Sequence, residues 1–258
     1  MTTRSAETRF ERARYEATLH VARILRRTYA TRRSREQLTD IRGRVMFAKR
    51  NLLGAGLMRL GGNLLQRIEG TGAEFLDDPA WFAREAELAR ALHREPTAVG
   101  SDDTLLAPRL PGVDLATILR EAHRPLEVRL RAIEQSARAL LTLHNAGFSH
   151  ADATAENVLI DGDLAHWIDF ETQHRAGVGL QLARADDLRT LLFSSVWAAD
   201  GLARECALRA FTAYPDREVW CALIGLREAT SKSLVRVAQA PMCWPLYAAT
   251  WAATLELT

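Results

Sequence analysis

The chain has 258 residues, of which 48% are hydrophobic and 26% are charged, and this composition suits one large soluble domain or two small lobes. No apolar run approaches the roughly 20 residues that a membrane span needs, and arginines interrupt the first thirty residues, so neither a span nor a secretory signal is expected. The cysteines, Cys206, Cys221 and Cys243, lie far apart without CxxC spacing, which argues against a disulfide framework or a zinc site. We expect a cytoplasmic protein with reduced thiols.

Positive charge is concentrated at the N-terminal end of the chain. Residues 1–50 hold 14 Lys and Arg against 5 Asp and Glu, a balance of +9, so the other 208 residues sum to −7. Such a segment can bind an anionic surface, including the inner membrane, since each basic side chain near that surface contributes about 1 kcal/mol. A solvated helix face explains the same charges equally well. A nucleic-acid partner is not favoured, because a recognition motif is missing.

The first third of the chain gives one clear helix and one ambiguous stretch. An apolar stripe at three- and four-residue spacing predicts a helix from Glu7 to about Arg35, with arginines on the opposite face. The glycine-containing stretch Asn51 to Leu65 fits either a helix or a loop between short strands. Leu64 to Glu69 is a candidate strand, followed by a turn at Gly70-Thr71-Gly72.

The middle of the chain predicts a capped helix and then a connector. Asp77-Asp78-Pro79 offers capping carboxylates and a first-turn proline for a helix that runs to Ala91. Thr104 to Gly112 reads as a short extended segment that ends in a turn, which is typical of a connection between two lobes. Helices are predicted at Leu115 to Ala122 and at Leu126 to Ala146, the second ended by Gly147.

Polar residues at fixed spacing follow the second of these helices. The pattern is His150-x-Asp152-x-x-x-x-Asn157, then two short strands joined by the turn Asp161-Gly162-Asp163, then Asp169; from Arg184 onward the pattern is helical. Phosphoryl transfer needs a carboxylate that positions the acceptor hydroxyl and oxygen ligands for magnesium. A hairpin would hold Asn157 and Asp169 on neighbouring strands that open towards Asp152, so this segment predicts a phosphotransfer site.

These residues resemble the kinase-like superfamily, in which HxDxxxxN is the catalytic loop and the aspartate of a DFG-type triplet binds magnesium. Ile168-Asp169-Phe170-Glu171 and Ala185-Asp186-Asp187-Leu188 are similar to motifs of the bacterial lipopolysaccharide-core and Kdo kinase-like proteins and, more distantly, of aminoglycoside phosphotransferases. The resemblance covers Leu105 to Phe193. It implies an α+β, bilobal fold with a reduced N-lobe sheet, a mainly helical C-lobe and an extra N-terminal helix. The implied division is 1–40 basic helical extension, 41–110 N-lobe and 111–258 C-lobe.

The resemblance also implies roles for individual residues, with ATP and Mg²⁺ as cofactors. Asp152 would be the catalytic base, His150 would brace its loop, and Asn157 and Asp169 would bind the metal. Either Asp186 or Asp187 would tether the loop backbone. Leu106, in the connector, would contact the nucleotide.

The nucleotide-binding half departs from the family pattern. A strand lysine paired with a helix glutamate is expected, and Glu85 and Glu87 are candidates for the glutamate. Neither lysine of the chain, Lys49 or Lys232, is predicted on a strand at the usual distance before that helix. Arg67, in the candidate strand, stands near the expected interval and could bind phosphate through its guanidinium fork.

The sequence therefore gives two candidate functions. The first is an ATP- and Mg²⁺-dependent kinase acting on a hydroxyl of a small molecule, sugar or glycolipid. The second is a pseudokinase that serves as a nucleotide-binding or scaffold module, which the missing lysine favours. Glu171, in place of the triplet glycine, argues against a protein-kinase style activation switch.

Overall fold

The computed structural model describes residues 33–39, 45–51, 55–68, 72–92, 94, 98–99, 104–199 and 202–230. The predicted N-terminal helix lies outside these residues except at Arg33–Arg35. Those three residues lie in a strand, so the helix prediction is wrong at its C-terminal end.

A four-stranded antiparallel sheet forms the N-terminal lobe, with the order β1-β2-β5-β4. Its strands are β1 (Arg33–Thr39), β2 (Val45–Asn51), β4 (Ala98–Val99) and β5 (Leu105–Pro108). In the register of β2 and β5, Phe47 lies opposite Ala107 and Lys49 lies opposite Leu105. Leu105 is fully buried against Trp81 and Phe82 of the helix Asp78–Ala91, and this contact packs the sheet on that helix.

Helix α1 (Ala55–Ile68) lies between β2 and the next helix of the chain. Of the stretch that the sequence left open, residues 55–65 are therefore helical and Asn51 ends β2. The predicted strand is wrong over residues 64–68, while Glu69 lies outside the described residues. A short apolar run fits either element by its pattern alone. Tertiary contacts favour the helix: the Asn63 side chain accepts from the Phe75 amide at 2.7 Å and donates to the Phe75 carbonyl at 3.1 Å.

Helix α2 (Asp78–Ala91) begins as the sequence predicts. The Asp77 carboxylate accepts a hydrogen bond from the Ala80 amide at 3.0 Å, and Pro79 lies in the first turn, where its missing N–H costs nothing. Trp81 and Leu88 are buried on the inner side of this helix.

Among the described residues, five helices form most of the C-terminal lobe; the sequence predicted the first two individually and the rest as a helical region from Arg184 onward. They are α3 (Leu115–Arg120), α4 (Leu126–Asn145), α5 (Leu180–Ala199), α6 (Ala203–Ala213) and α7 (Arg217–Thr230). Their apolar faces meet in one core, in which Ile133, Leu140, Leu191 and Trp220 are fully buried. Within the described residues, none of the helices is both long enough and apolar enough to cross a membrane.

A three-stranded sheet, β6-β7-β8, carries the predicted hairpin. Its strands are β6 (Val113–Asp114), β7 (Val158–Asp161) and β8 (Leu164–Trp167), and a 3-10 turn (Ala155–Asn157) leads into β7. Gly112, just before β6, has a φ of +114°, and a Cβ there would lie 2.6 Å from the carbonyl oxygen of Ile160. Only glycine fits at this approach of two backbones.

A two-stranded sheet joins the region before α2 to the segment after Asp169. Strand β3 (Ala73–Phe75) pairs antiparallel with β9 (Thr172–His174), and the Leu76 amide donates to the Glu171 carbonyl at 2.9 Å. Three-residue strands carry too little pattern to be predicted. The α+β class is confirmed, with a small sheet in one lobe and helices dominating the other.

Candidate active site

A cavity of about 1000 Å³ lies between the two lobes. Strand β2 and helix α2 contribute its upper walls, the connector Ala107–Gly112 closes one side, and the segment Ala165–Phe170 forms its floor. Lys49, Glu85 and Asp169 all line it, although they belong to three separate elements. The chain thus brings a lysine and two carboxylates together at the wall of a cavity that is large enough for a nucleotide.

Lys49 lies in strand β2 and its side chain is nearly buried. Its Nζ atom lies 2.8 Å from Oδ1 of Asp169 and 3.8 Å from Oε1 of Glu85. Lys49 thus lies on a strand and pairs with Glu85, but not at the usual distance before the helix that the prediction required, while Lys232 lies outside the described residues. Sequence reasoning missed Lys49 because α1 and β3 lie between it and Glu85 and stretch the interval to 36 residues.

A signal for Lys49 was present in the strand itself. Val45, Phe47 and Lys49 alternate with residues of the other face, and all three line the cavity. A lysine in phase with two apolar residues of a strand is a candidate for a buried, paired ammonium.

Glu85 and Glu87, the two candidates for the lysine partner, differ sharply in environment. Glu85 is buried and its Oε1 also accepts a hydrogen bond from the indole N–H of Trp81 at 3.3 Å. Glu87 is exposed. Helical spacing turns residues two positions apart away from each other, so only Glu85 can face the cleft together with Lys49.

The remaining candidates for contact with the nucleotide are Arg67 and Leu106. Arg67 belongs to helix α1, so the reason for choosing it, its place in a strand, is wrong. Leu106 lies in β5 opposite Ala48, and the cavity is lined instead by Ala107 and the connector residues after it. Alternation along a strand explains this, since Leu106 and Ala107 face opposite sides of the sheet.

The loop that begins at His150 is held by one buried carboxylate, that of Asp187 in α5. Its Oδ2 accepts from the His150 amide at 2.6 Å, and its Oδ1 accepts from the Ala151 amide at 2.7 Å. Ala151 has a φ of +66°, a left-handed conformation that is unfavourable for alanine and needs such support. Of the two aspartates proposed from sequence, Asp187 is the one that bonds the loop backbone.

His144 and Tyr214 hold the Asp187 carboxylate in place through two further hydrogen bonds. The Nε2–H of His144 donates to Oδ2 of Asp187 at 3.0 Å, and its Nδ1 accepts from the Tyr214 hydroxyl at 2.6 Å. Burial raises the pKa of Tyr214, which keeps the hydroxyl protonated as this donor. Three helical segments therefore determine where the loop backbone lies.

His150 itself is fully buried between aromatic rings. Its ring centroid lies 4.6 Å from that of Phe170 and 5.2 Å from that of Trp167. Its Nε2–H donates to the Ile168 carbonyl at 2.9 Å, while Nδ1 is buried without a hydrogen-bond partner. Burial lowers the pKa of His150 below its ordinary value of 6.5, so the ring is neutral and braces the loop.

Asp152 and Asn157 are in direct contact within the loop. The side-chain nitrogen Nδ2 of Asn157 donates to Oδ2 of Asp152 and to the backbone carbonyl of Asp152, both at 2.9 Å. The Asn157 carbonyl in turn accepts from the Ile168 amide at 2.9 Å, which ties this residue to the strand before Asp169. These hydrogen bonds link Asp152 to Asn157 and link Asn157 to Ile168, the residue before Asp169.

The oxygen atoms of Asn157 and Asp169 suit a magnesium ion. With its amide nitrogen committed to Asp152, Asn157 offers an amide oxygen, and Asp169 offers carboxylate oxygens, the hard ligands that Mg²⁺ prefers. Within the described part of the chain, no three His, Cys, Asp or Glu side chains form a metal site on their own. A magnesium ion here would take one carboxylate and one amide oxygen from the protein and its other ligands from phosphates and water. Asp169 has a φ of +63°, so backbone conformation also sets the direction of this residue.

A third group of side chains connects the loop to α2 and β9. The Arg84 guanidinium, next to Glu85 in the chain, donates to the Ser149 carbonyl. His174 contacts the Ser149 hydroxyl through Nδ1 at 2.8 Å and Asp186 through Nε2 at 3.2 Å. Burial acts to raise the pKa of Asp186, but the charge of Arg189 and the His174 contacts outweigh it and lower that pKa. Asp186 therefore anchors β9, whereas Asp187 anchors the loop.

Comparison with known proteins agrees with this arrangement. Residues 104–214 match the sequence model of the "Lipopolysaccharide kinase (Kdo/WaaP) family". This segment is similar to the kinases of that family. The matched segment begins at the connector and ends at Tyr214, so it contains the loop, the hairpin and the tethering aspartate.

A solved structure and the curated proteins give the remaining comparisons. The structure described as "WaaP in complex with acyl carrier protein" is similar with 21% identity and a TM-score of 0.46, over 88% of this chain and 85% of that chain. No curated protein matches the sequence. The family match over residues 104–214 confirms the resemblance predicted from the loop and hairpin residues.

Proposed function

We propose that this Kdo/WaaP-like chain is an ATP- and Mg²⁺-dependent phosphotransferase that phosphorylates a hydroxyl group of a sugar or glycolipid. The observation that carries the proposal is the position of Lys49, between Glu85 and Asp169 at the wall of the interlobe cavity. The family match, whose name refers to lipopolysaccharide, supports a sugar or glycolipid as the acceptor class.

Asp152 is the residue that would receive or orient the acceptor hydroxyl. Two hydrogen bonds from Asn157, one to its carboxylate and one to its carbonyl, hold the side chain in a fixed place. A carboxylate fixed in this way aligns the hydroxyl oxygen with the phosphoryl group, and most of the catalytic effect in such enzymes comes from positioning and electrostatics.

Asn157 and Asp169 would hold the magnesium ion, and Lys49 would contact the nucleotide phosphates. When bound, the metal neutralises phosphate charge and orients the transferred group. Glu85 keeps the ammonium of Lys49 at the cavity wall, since a nearly buried lysine needs an opposite charge close by. The connector Ala107–Gly112 borders the cavity where the base would lie.

The observation that favoured a pseudokinase, a missing strand lysine, no longer applies. Lys49 occupies a strand with a glutamate and an aspartate as partners. Together with Asp152 and Asn157, these residues supply each side chain that phosphoryl transfer requires.

The test combines binding with turnover. ATP with Mg²⁺ should raise the melting temperature of the full chain, because a ligand that binds only the folded state stabilises it. Asp169→Asn should lose the part of this shift that depends on Mg²⁺. Asp152→Asn should retain the shift but lower ATP hydrolysis, or transfer to a lipopolysaccharide-core acceptor, by roughly 10²- to 10⁴-fold.

Asp163→Asn is the matched control. Asp163 is an exposed turn residue that pairs with the exposed Arg131, so the same chemical change there should leave both readouts at the parent level. If ATP and Mg²⁺ give no shift in the parent, or if Asp152→Asn turns over like Asp163→Asn, the proposal fails.

A further inference from the structure

The peptide group that joins Ser149 to His150 is held from both sides. Its carbonyl oxygen, on Ser149, accepts a hydrogen bond from Nη2 of Arg84, in helix α2. Its N–H, on His150, donates to Oδ2 of Asp187, in helix α5, at 2.6 Å. A peptide group is planar, so these two bonds together fix its orientation at the start of the loop that carries Asp152.

The charges on the two sides of this peptide group suit its dipole. The carbonyl carries partial negative charge and faces the guanidinium of Arg84, whereas the N–H carries partial positive charge and faces the carboxylate of Asp187. Hydrogen bonds with one ionised partner are roughly twice as strong as neutral ones. Burial lowers the pKa of Arg84, and the negative charge of Asp187 is the largest influence that raises it. Arginine stays protonated in proteins, so a cation and an anion from different helices hold one peptide group.

Arg84 lies next to Glu85 in the chain, and the two side chains serve different halves of the site. Successive residues of a helix point about 100° apart, at 3.6 residues per turn. Glu85 accordingly faces Lys49 at the wall of the cavity, with its Oε1 3.8 Å from Nζ, while Arg84 reaches the loop. A shift of α2 along or about its axis would therefore change both contacts together.

A second arginine joins the two lobes at a different place. Nη1 of Arg94, just after α2, donates to the Trp167 carbonyl at 2.7 Å, at the end of β8. This bond holds the strand that leads to Asp169. Arg84 instead acts on the carbonyl three residues before Asp152. Each half of the site is thus tied to the region of α2, and the bond from Arg84 reaches the loop.

We propose that Arg84 is a positioning residue for the transfer step, which fixes the distance between the loop that carries Asp152 and the helix that carries Glu85. The proposal rests on the proposed function, since it concerns the alignment of the acceptor hydroxyl at Asp152 with the phosphates near Lys49. Neither half needs Arg84 for its own contacts. The loop has its bonds to Asp187, and Glu85 pairs with Lys49. Loss of Arg84 should therefore leave nucleotide binding intact and impair the alignment between the two halves.

Steady-state ATP hydrolysis by the full chain with Mg²⁺ tests the proposal, with water in the place of the acceptor hydroxyl. Arg84→Met should lower kcat by roughly 10- to 100-fold, because a misplacement of about 1 Å between reacting groups can cost 10²-fold. The KM for ATP should stay within about twofold of the parent value, and the rise in melting temperature with ATP and Mg²⁺ should persist. A general loss of structure would change all three readouts, whereas lost alignment lowers kcat alone.

Arg90→Met is the matched control on the same helix. Arg90 is exposed and its Nε donates to the Ala86 carbonyl of its own helix, so the same substitution there should leave kcat and KM at the parent level.

Arg84→Lys is the conservative variant. It keeps the charge, but lysine is a point charge on a flexible stem and lacks the planar fork of arginine. It should recover part of the loss, with kcat at least about threefold below the parent and an unchanged KM for ATP. This comparison carries the test if Arg84→Met does not fold.

Two results would overturn the role of Arg84. One is a kcat of the Arg84 variants equal to that of Arg90→Met, and the other is a KM for ATP that rises in proportion to the fall in kcat. Both leave the proposed function intact as long as the parent hydrolyses ATP. A parent that neither binds nor hydrolyses ATP contradicts the proposed function itself, and the role of Arg84 falls with it.

Discussion

The two halves of the active site are held by different kinds of bond. The loop around Asp152 is fixed through its backbone, by amide hydrogen bonds to the buried carboxylate of Asp187 and by the packing of His150. The lysine half is fixed through side chains, since Lys49 meets Glu85 and Asp169 only by ion pairs. Substitution of the Asp187 anchor in the first half should therefore reduce stability, whereas substitutions in the second half should reduce activity.

Within the lysine half, the largest expected effect is that of Lys49→Met on turnover. Loss of the positive charge that faces the phosphates should lower kcat/KM for ATP by roughly 10²- to 10³-fold, the usual cost of removing one electrostatic group from such a site. Arg67→Ala is the comparison, because Arg67 lies in helix α1. It should stay within about twofold of the parent. Equal losses in both variants would contradict the assignment of Lys49.

The next effect concerns the stability of the loop half. Asp187→Asn should lower the free energy of unfolding by about 3 kcal/mol, because it weakens three hydrogen bonds at a buried carboxylate and leaves polar groups unpaired. Urea unfolding measures this change. The exposed Asp163→Asn should change the free energy of unfolding by less than about 0.5 kcal/mol. A comparably small change in Asp187→Asn would show that the loop does not depend on this anchor.

Glu85 and Glu87 provide a matched pair on one helix. Glu85→Gln should lower kcat/KM for ATP by roughly tenfold, because the ammonium of Lys49 loses one of its two charged partners. Glu87→Gln, on the exposed side of the helix, should have no effect on kcat/KM. Steady-state kinetics at several ATP concentrations separates the two, and equal behaviour would place the lysine partner elsewhere.

The smallest effect is the dependence of stability on pH through His150. Its pKa is below the ordinary value of 6.5 in the folded chain, so the unfolded chain binds more protons once the pH falls below about 6.5. This contribution to stability is complete at neutral pH and decreases on acidification, by up to about 1.4 kcal/mol per pH unit. His150→Phe should reduce the slope of unfolding free energy between pH 6.5 and pH 5. Parallel curves for parent and variant would contradict a neutral, buried His150.

The fold and the loop half could be predicted because their signals are local. The cap at Asp77, the turn at Gly162 and the spacing from His150 to Asn157 each depend on residues a few positions apart. From the sequence, the residue that anchors the loop backbone could be narrowed only to Asp186 or Asp187. Adjacent residues of a helix point in different directions, and tertiary packing decided that Asp187 faces the loop while Asp186 faces His174.

The lysine half could not be predicted because its residues meet only in the folded chain. Lys49 and Asp169 are separated by 120 residues, and the interval between Lys49 and Glu85 is stretched by α1 and β3. The strands β3 and β9 are too short to carry a pattern, and they form because each completes the hydrogen bonds of the other. The sequence by itself determined the loop from His150 to Asn157, the hairpin and the α+β class. The tertiary structure alone decided which cation faces Asp169, because residues that pair across distant elements have no characteristic spacing in the sequence.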